Sequence, residues 1–156
     1  MTRYLLPAIL FLVLSCKKDN DPSPDLTRDL VGVYQTKNAQ EFLDDINVTI
    51  TVRWTIDKLS DKKIRLTHDE ETVFDGDGWQ EYIDSIPPRK VIFDNIELTE
   101  PNKFQIKQKV ESIIEGSVQS SDVEITAELA GKHLDANIKE TFEGGSYQGD
   151  VLMKRL

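Results

Sequence analysis

The chain is poor in cysteine, histidine and long apolar runs. One cysteine among 156 residues allows no internal disulfide and no multi-cysteine metal site. There are two histidines, His68 and His133. No Gly-x-Ser-x-Gly, His-Glu-x-x-His or phosphate-binding glycine loop accompanies them. The chain is therefore read as non-enzymatic, with no cofactor and no metal. Positive charge is also short, with 19 Lys and Arg against 28 Asp and Glu, a formal net charge of −9. That excludes the basic surface that nucleic acid requires, and equally a peripheral electrostatic grip on anionic lipid. The apolar run at residues 5–14 falls short of the roughly 20 residues a transmembrane helix needs. No long amphipathic helix and no internal repeat is evident.

The lone cysteine is well placed. Arg3 precedes the apolar run, Ser15 and Cys16 close it, and Lys17-Lys18-Asp19 stops it. This is the shape of a secretory signal. Val13-Leu14-Ser15-Cys16 resembles the lipobox of bacterial lipoproteins, in which signal peptidase II cuts before a cysteine that carries lipid. Cys-Lys-Lys-Asp resembles the opening of many lipoproteins of the Bacteroidota. The resemblance implies lipidation at Cys16 and a membrane anchor in the cell envelope at the outer membrane, on its periplasmic or its outer side. Stable anchoring requires more than one acyl chain, and such lipoproteins carry several, palmitate among them. Residues 1–15 are then the signal peptide. Residues 16–27 read as a charged, proline-punctuated tether. Residues 28–156 are one domain, since the remaining length is too short for two.

That domain reads as β throughout. In residues 47–57, Val48, Ile50, Val52, Trp54 and Ile56 alternate with Thr49, Thr51, Arg53 and Thr55. Ser60-Asp61-Lys62 is a turn, and alternation resumes at Ile64, Leu66 and His68. Asp75-Gly76-Asp77-Gly78 is a second turn, followed by a short strand at 79–83 and an interruption at Pro87-Pro88. Further strands are expected at 91–98, 104–110, 113–118, 123–129, 134–142 and 147–155. Turns are expected at 100–102, 120–122 and 130–132, and a loop or single helical turn at 39–45. A meander of this length must close on itself to hide its apolar face and its edges. The expected fold class is all-β, an antiparallel meander closing into an up-and-down barrel of about eight to ten strands.

The two ends of the domain carry a further resemblance. Asp29-Leu30-Val31-Gly32-Val33-Tyr34 resembles the Leu-x-Gly-x-Trp opening of lipocalins and the wider calycin group, with Tyr34 in place of the tryptophan. Residues 147–155 resemble the closing strand of small bacterial lipocalin-like domains. The resemblance implies that Arg155 or Lys154 covers Tyr34 beside Gly32, closing the barrel floor through a cation–π contact. It also implies an open-ended barrel able to hold a small apolar ligand.

Three polar residues, His68, Gln108 and Glu140, fall in phase with inward apolar positions. An apolar pocket with a few polar groups is the usual form of a ligand site. The expected ligand-binding set is therefore Trp54, His68, Phe104, Gln108, Glu140 and Phe142. Burial of an unpaired Glu140 is costly, so it requires a partner, water or a ligand, and replacement by leucine is expected to stabilise the domain. Asp84-Ser85-Ile86 resembles the short O-glycosylation motif of the Bacteroidota, which makes Ser85 a candidate acceptor. The acidic residues around Asp75–Gly78 do not match an EF-hand, because Val73 occupies the first ligand position. The leading expectation is an envelope lipoprotein holding a small apolar or amphiphilic ligand in a hollow barrel. The alternative is a structural or interaction module with a filled barrel that contacts an envelope protein or a glycan.

Overall fold

Eight antiparallel strands form one meander sheet that curls into a nearly closed barrel. The computed structural model describes residues 24–43, 46–75, 89–114 and 117–156. Cys16, Ser85 and the strand expected at 79–83 lie outside the described residues. The strands are β1 (Gly32–Leu43), β2 (Ile46–Ser60), β3 (Lys63–Asp75), β4 (Arg89–Glu97), β5 (Lys103–Ile114), β6 (Ser117–Ala130), β7 (His133–Phe142) and β8 (Gly145–Arg155). Their order around the sheet is β4-β3-β2-β1-β8-β7-β6-β5, so β4 and β5 are the two edges. Among the described residues no helix is long and apolar enough to cross a membrane.

Alternation decides which face is buried. Trp54, Ile56, Ile64, Leu66, Phe93, Phe104, Ile106, Ile125, Leu134 and Met153 point inward and are buried. Of these, Ile56, Ile64, Leu66, Leu134 and Met153 lie toward the end of the barrel where the Ser60–Lys63 and Ala130–His133 turns lie, here termed the floor. Gly131 takes a φ of 65° in the second of these turns, a conformation that glycine adopts without steric cost. Leu30 and Leu98, both buried, plug the floor from two connections.

Packing at the floor reaches back into the segment before β1. The amide of Leu26 donates to the carbonyl of Asp61, and Thr27 is fully buried. Asp25 accepts from Lys58 Nζ at 2.5 Å and from the Thr27 hydroxyl at 2.6 Å. Those bonds, the one from Lys58 first, hold the Asp25 carboxyl down at about 2.

Three expected boundaries differ. Residues 39–43 continue β1 rather than forming a loop or single helical turn, and 44–45 lie outside the described residues. The strand expected at 113–118 is divided between two elements: β5 runs to Ile114 and β6 starts at Ser117, with 115–116 outside the described residues. The expected turn at 120–122 is interior to β6, pairing with 109–111 on one side, while Ser121 and Asp122 pair with Phe142 and Thr141 on the other. Serine and aspartate favour turns only where their side chains bond the local backbone. Here Ser121 is buried and its hydroxyl is spent on Glu140.

The seam between β4 and β5 carries no strand ladder. Both edges show devices that blunt edge-to-edge association. Lys103, Lys107 and Lys109 are exposed on β5. On β4 the register against β3 slips between Phe93 and Ile96, the partners of Leu66 and Ile64, and Asn95 there takes a φ of 56°.

Candidate functional site at the barrel mouth

The barrel has two unlike halves. At the floor, Arg155 folds back over the Tyr34 ring, 5.7 Å from its centroid. Its guanidinium donates to the carbonyl of Asp29 at 3.1 Å and also to that of Val31. Gly32 leaves the space for it, since a Cβ there would lie 2.9 Å from Arg155 Nε. Tyr34 is fully buried and its hydroxyl donates to the Leu30 carbonyl at 2.9 Å. Burial is the main reason its phenol is raised above the ordinary value. Gly32, Tyr34 and Arg155 therefore form one closed unit, in which Arg155 rather than Lys154 covers the ring.

Above that unit, Trp54 packs against Phe104 with ring centroids 6.3 Å apart. Both are buried, and with Ile106, Ile125 and Ala127 they fill the middle of the lumen. Ile138 is partly buried and packs against this cluster. Two residues expected along a cavity wall stand elsewhere. Gln108 is exposed, although Phe104, Ile106 and Val110 on the same face of edge strand β5 are buried. Phe142 is 44% exposed, because it is the last residue of β7 and stands at the rim.

Polar groups cluster at the opposite end, the mouth. Trp54 Nε1 donates to His68 Nδ1 at 2.8 Å. An indole N–H can only donate, so His68 Nδ1 is an acceptor and the imidazole proton sits on Nε2. That nitrogen faces Glu70 Oε2 at 3.4 Å. The hydrogen bond with His68 holds the Glu70 carboxyl below its ordinary value, against the opposing effect of burial.

Glu140 has the partner its position demanded. Arg89 reaches it with two parallel bonds, Nη2 to Oε1 at 2.7 Å and Nη1 to Oε2 at 3.1 Å. The Ser121 hydroxyl donates to Oε1 at 2.6 Å. Burial raises the Glu140 carboxyl, but the bonds from Arg89 and Ser121 outweigh it and leave the group below its ordinary value. The Glu140 bond raises Arg89 further above its already high value. Arg89 Nε is buried and has no hydrogen-bond partner among the described residues.

Topology gives this pair its meaning. Arg89 opens edge strand β4, whereas Glu140 lies near the end of β7, two strands in from the other edge. The ion pair therefore spans the lumen and ties together parts of the sheet that no ladder joins. Arg89, Glu70 and Ser121 were missed as site residues, yet each stands in phase with an inward residue: Val91, His68 and Val123. The signal was an unmatched inward carboxylate beside an inward arginine. It was not decisive, because the two positions are 51 residues apart.

Among the described residues, the outer wall carries a shallow concavity of about 480 Å³, lined by Glu128, Asp135, Asn137, Asp150 and Leu152 of β6, β7 and β8. Asn137 donates to Asp150 across it at 2.8 Å. Among the described residues, no group of three or more histidine, cysteine, aspartate and glutamate side chains converges to hold a metal ion. Asp69 is engaged by Lys90 at 3.5 Å, and residues 76–88 of the acidic stretch lie outside the described residues. The fold and site define an antiparallel meander barrel with a filled apolar floor and a charged, cross-braced mouth. No family model, curated protein or solved structure matches the chain.

Proposed function

We propose that this protein is a lipid-anchored lipoprotein of the bacterial cell envelope, attached through Cys16, that acts as a non-enzymatic interaction module with a filled barrel. Contacts are made at the mouth, not in a deep apolar pocket. The observation that carries this choice over a lipocalin-type carrier is the packing of Trp54 on Phe104, 6.3 Å between centroids, where a deep ligand would lie. A deep ligand would have to displace buried aromatic side chains from a closely packed interior, which is costly. The mouth instead presents partly exposed hydrogen-bonding groups, with Arg89, Glu70 and Glu140 side chains 35%, 33% and 18% exposed.

The test is native mass spectrometry of the full chain extracted from its own membrane in mild detergent. The expected mass is the processed chain with its acyl groups and no further apolar molecule. A stoichiometric apolar mass that leaves on denaturation would overturn the filled-barrel reading. A Cys16→Ser chain is expected to lose incorporation of a palmitate analogue; retained incorporation would overturn the anchor.

A further inference from the structure

Two aromatic side chains at the mouth do no packing work that burial would reward. Phe142 is 44% exposed and Tyr147 56% exposed, although both stand at positions in phase with the inward face. Phe142 pairs across the sheet with Ser121 and with Gly145, and Tyr147 pairs with Glu140. The two rings are therefore diagonal neighbours, set directly beside the Arg89–Glu140–Ser121 cluster. Each is laid back over a glycine. A Cβ on Gly145 would meet the Phe142 ring at 3.2 Å, and one on Gly149 would run into the Tyr147 hydroxyl and ring. The missing Cβ leaves room for each ring beside its glycine, and the rest of the side chain stays exposed. Covering a glycine accounts for that contact. It does not account for two adjacent rings at the rim of a hydrogen-bonding cluster.

The chemistry of the rim selects the occupant. An anion would meet Glu70 and Glu140, and the whole chain is at −9. A cation would meet the Arg89 guanidinium, which Glu140 fixes in place with two bonds. A purely apolar molecule would cover partly exposed charged groups without bonding them, at a desolvation cost. A neutral ring with hydroxyls on its edge and C–H bonds on its face meets every term. Hydroxyls donate to the carboxylates and accept from the guanidinium. The slightly positive C–H face lies on the negative face of an aromatic ring.

We infer that the rim formed by Phe142, Tyr147, Glu140, Arg89 and Ser121 is a binding site for a neutral carbohydrate, with sugar rings stacked on Tyr147 and Phe142. This rests on the reading that the mouth is the contact surface. The test uses the full lipidated chain in a micelle of a sugar-free detergent, titrated at millimolar concentration and followed by amide NMR. The probes are maltotetraose, cellotetraose, mannotetraose and chitotetraose, with a galacturonate tetramer and choline as charged controls. At least one neutral probe is expected to shift the amides of Ser121, Gly145 and Gly149 saturably. Tyr147→Ala and Phe142→Ala are each expected to weaken that binding about tenfold, the worth of one stacked ring, while Tyr147→Phe retains it. Both rings are largely exposed, so the truncated chains are expected to keep their melting temperature. Silence from all four neutral probes, or binding indifferent to both truncations, overturns the inference. If choline or galacturonate alone shifts these amides, the carbohydrate falls and the mouth stands. Shifts confined to the outer wall around Asn137 and Leu152 sink both.

Discussion

Replacing Glu140 with leucine tests the mouth most directly, because the sequence alone and the structure predict opposite signs. Taken as a lone inward carboxylate, Glu140 is expected to be a liability whose removal stabilises. In the structure it accepts two bonds from Arg89 and one from Ser121. Leucine would strand the guanidinium and leave the buried Ser121 hydroxyl without that acceptor. Breaking a fully buried pair costs about 3–5 kcal/mol. Here Arg89 is 35% exposed, so water recovers part of the loss, and the leucine side chain offsets some of the rest. We expect Glu140→Leu to destabilise by about 2 kcal/mol. The assay is urea unfolding followed by far-ultraviolet circular dichroism, with the change read from the midpoint at constant slope. The double variant Arg89→Met with Glu140→Leu is expected to be more stable than the sum of the single variants by at least about 1 kcal/mol. Hydrogen exchange at β4 amides is expected to quicken selectively, since the pair braces the edge strand across an unladdered seam. A neutral or stabilised Glu140→Leu chain, or strictly additive variants, would refute the reasoning.

Other outcomes follow from the same geometry. His68→Leu leaves the fully buried Trp54 indole N–H without its acceptor and is expected to cost about 1–3 kcal/mol, whereas His68→Gln, which can accept, costs less; equal losses in urea melts would count against the bond. Glu70 and Glu140 are both held below their unfolded carboxyl values. Their contribution is therefore present above the unfolded value of about 4.3 and lost as pH falls through the lower folded values. Acid titration of stability is expected to flatten in the Glu70→Gln, Glu140→Gln chain, and an unchanged acid slope would refute this. Gly32→Ala is expected to push the Arg155 guanidinium off Tyr34 and lower stability by about 1–2 kcal/mol, with little further loss when Arg155→Met is added; independent losses would show that the two do not act as one unit.

The strands were legible because a half-buried strand writes its two faces in alternate residues. The run 48–56 reports its own inward face, and Trp54 and Ile56 are buried as that phase requires. The contact at the floor was expected only through the resemblance of the two chain ends to a known opening and closing strand, which left Arg155 and Lys154 both open; the structure has Arg155 over Tyr34. Turn chemistry misled at 120–122, because a serine in a strand looks like a turn serine until its partner is known. Gln108 misled for the related reason that phase reports which way a side chain points, not whether anything lies over it.

Sequence by itself therefore determined an all-β chain, one apolar face per strand, an acidic net charge and a lone cysteine after an apolar run. Local rules suffice for these, since each depends on residues a few positions apart. Only the tertiary structure decided that Trp54 and Phe104 meet in the lumen, that Gln108 stands uncovered and that Glu140 is held by Arg89 and Ser121. Those facts depend on which strands become neighbours when the sheet curls. The partners of one inward residue then come from chain segments far away, with nothing in their own neighbourhoods to announce the meeting.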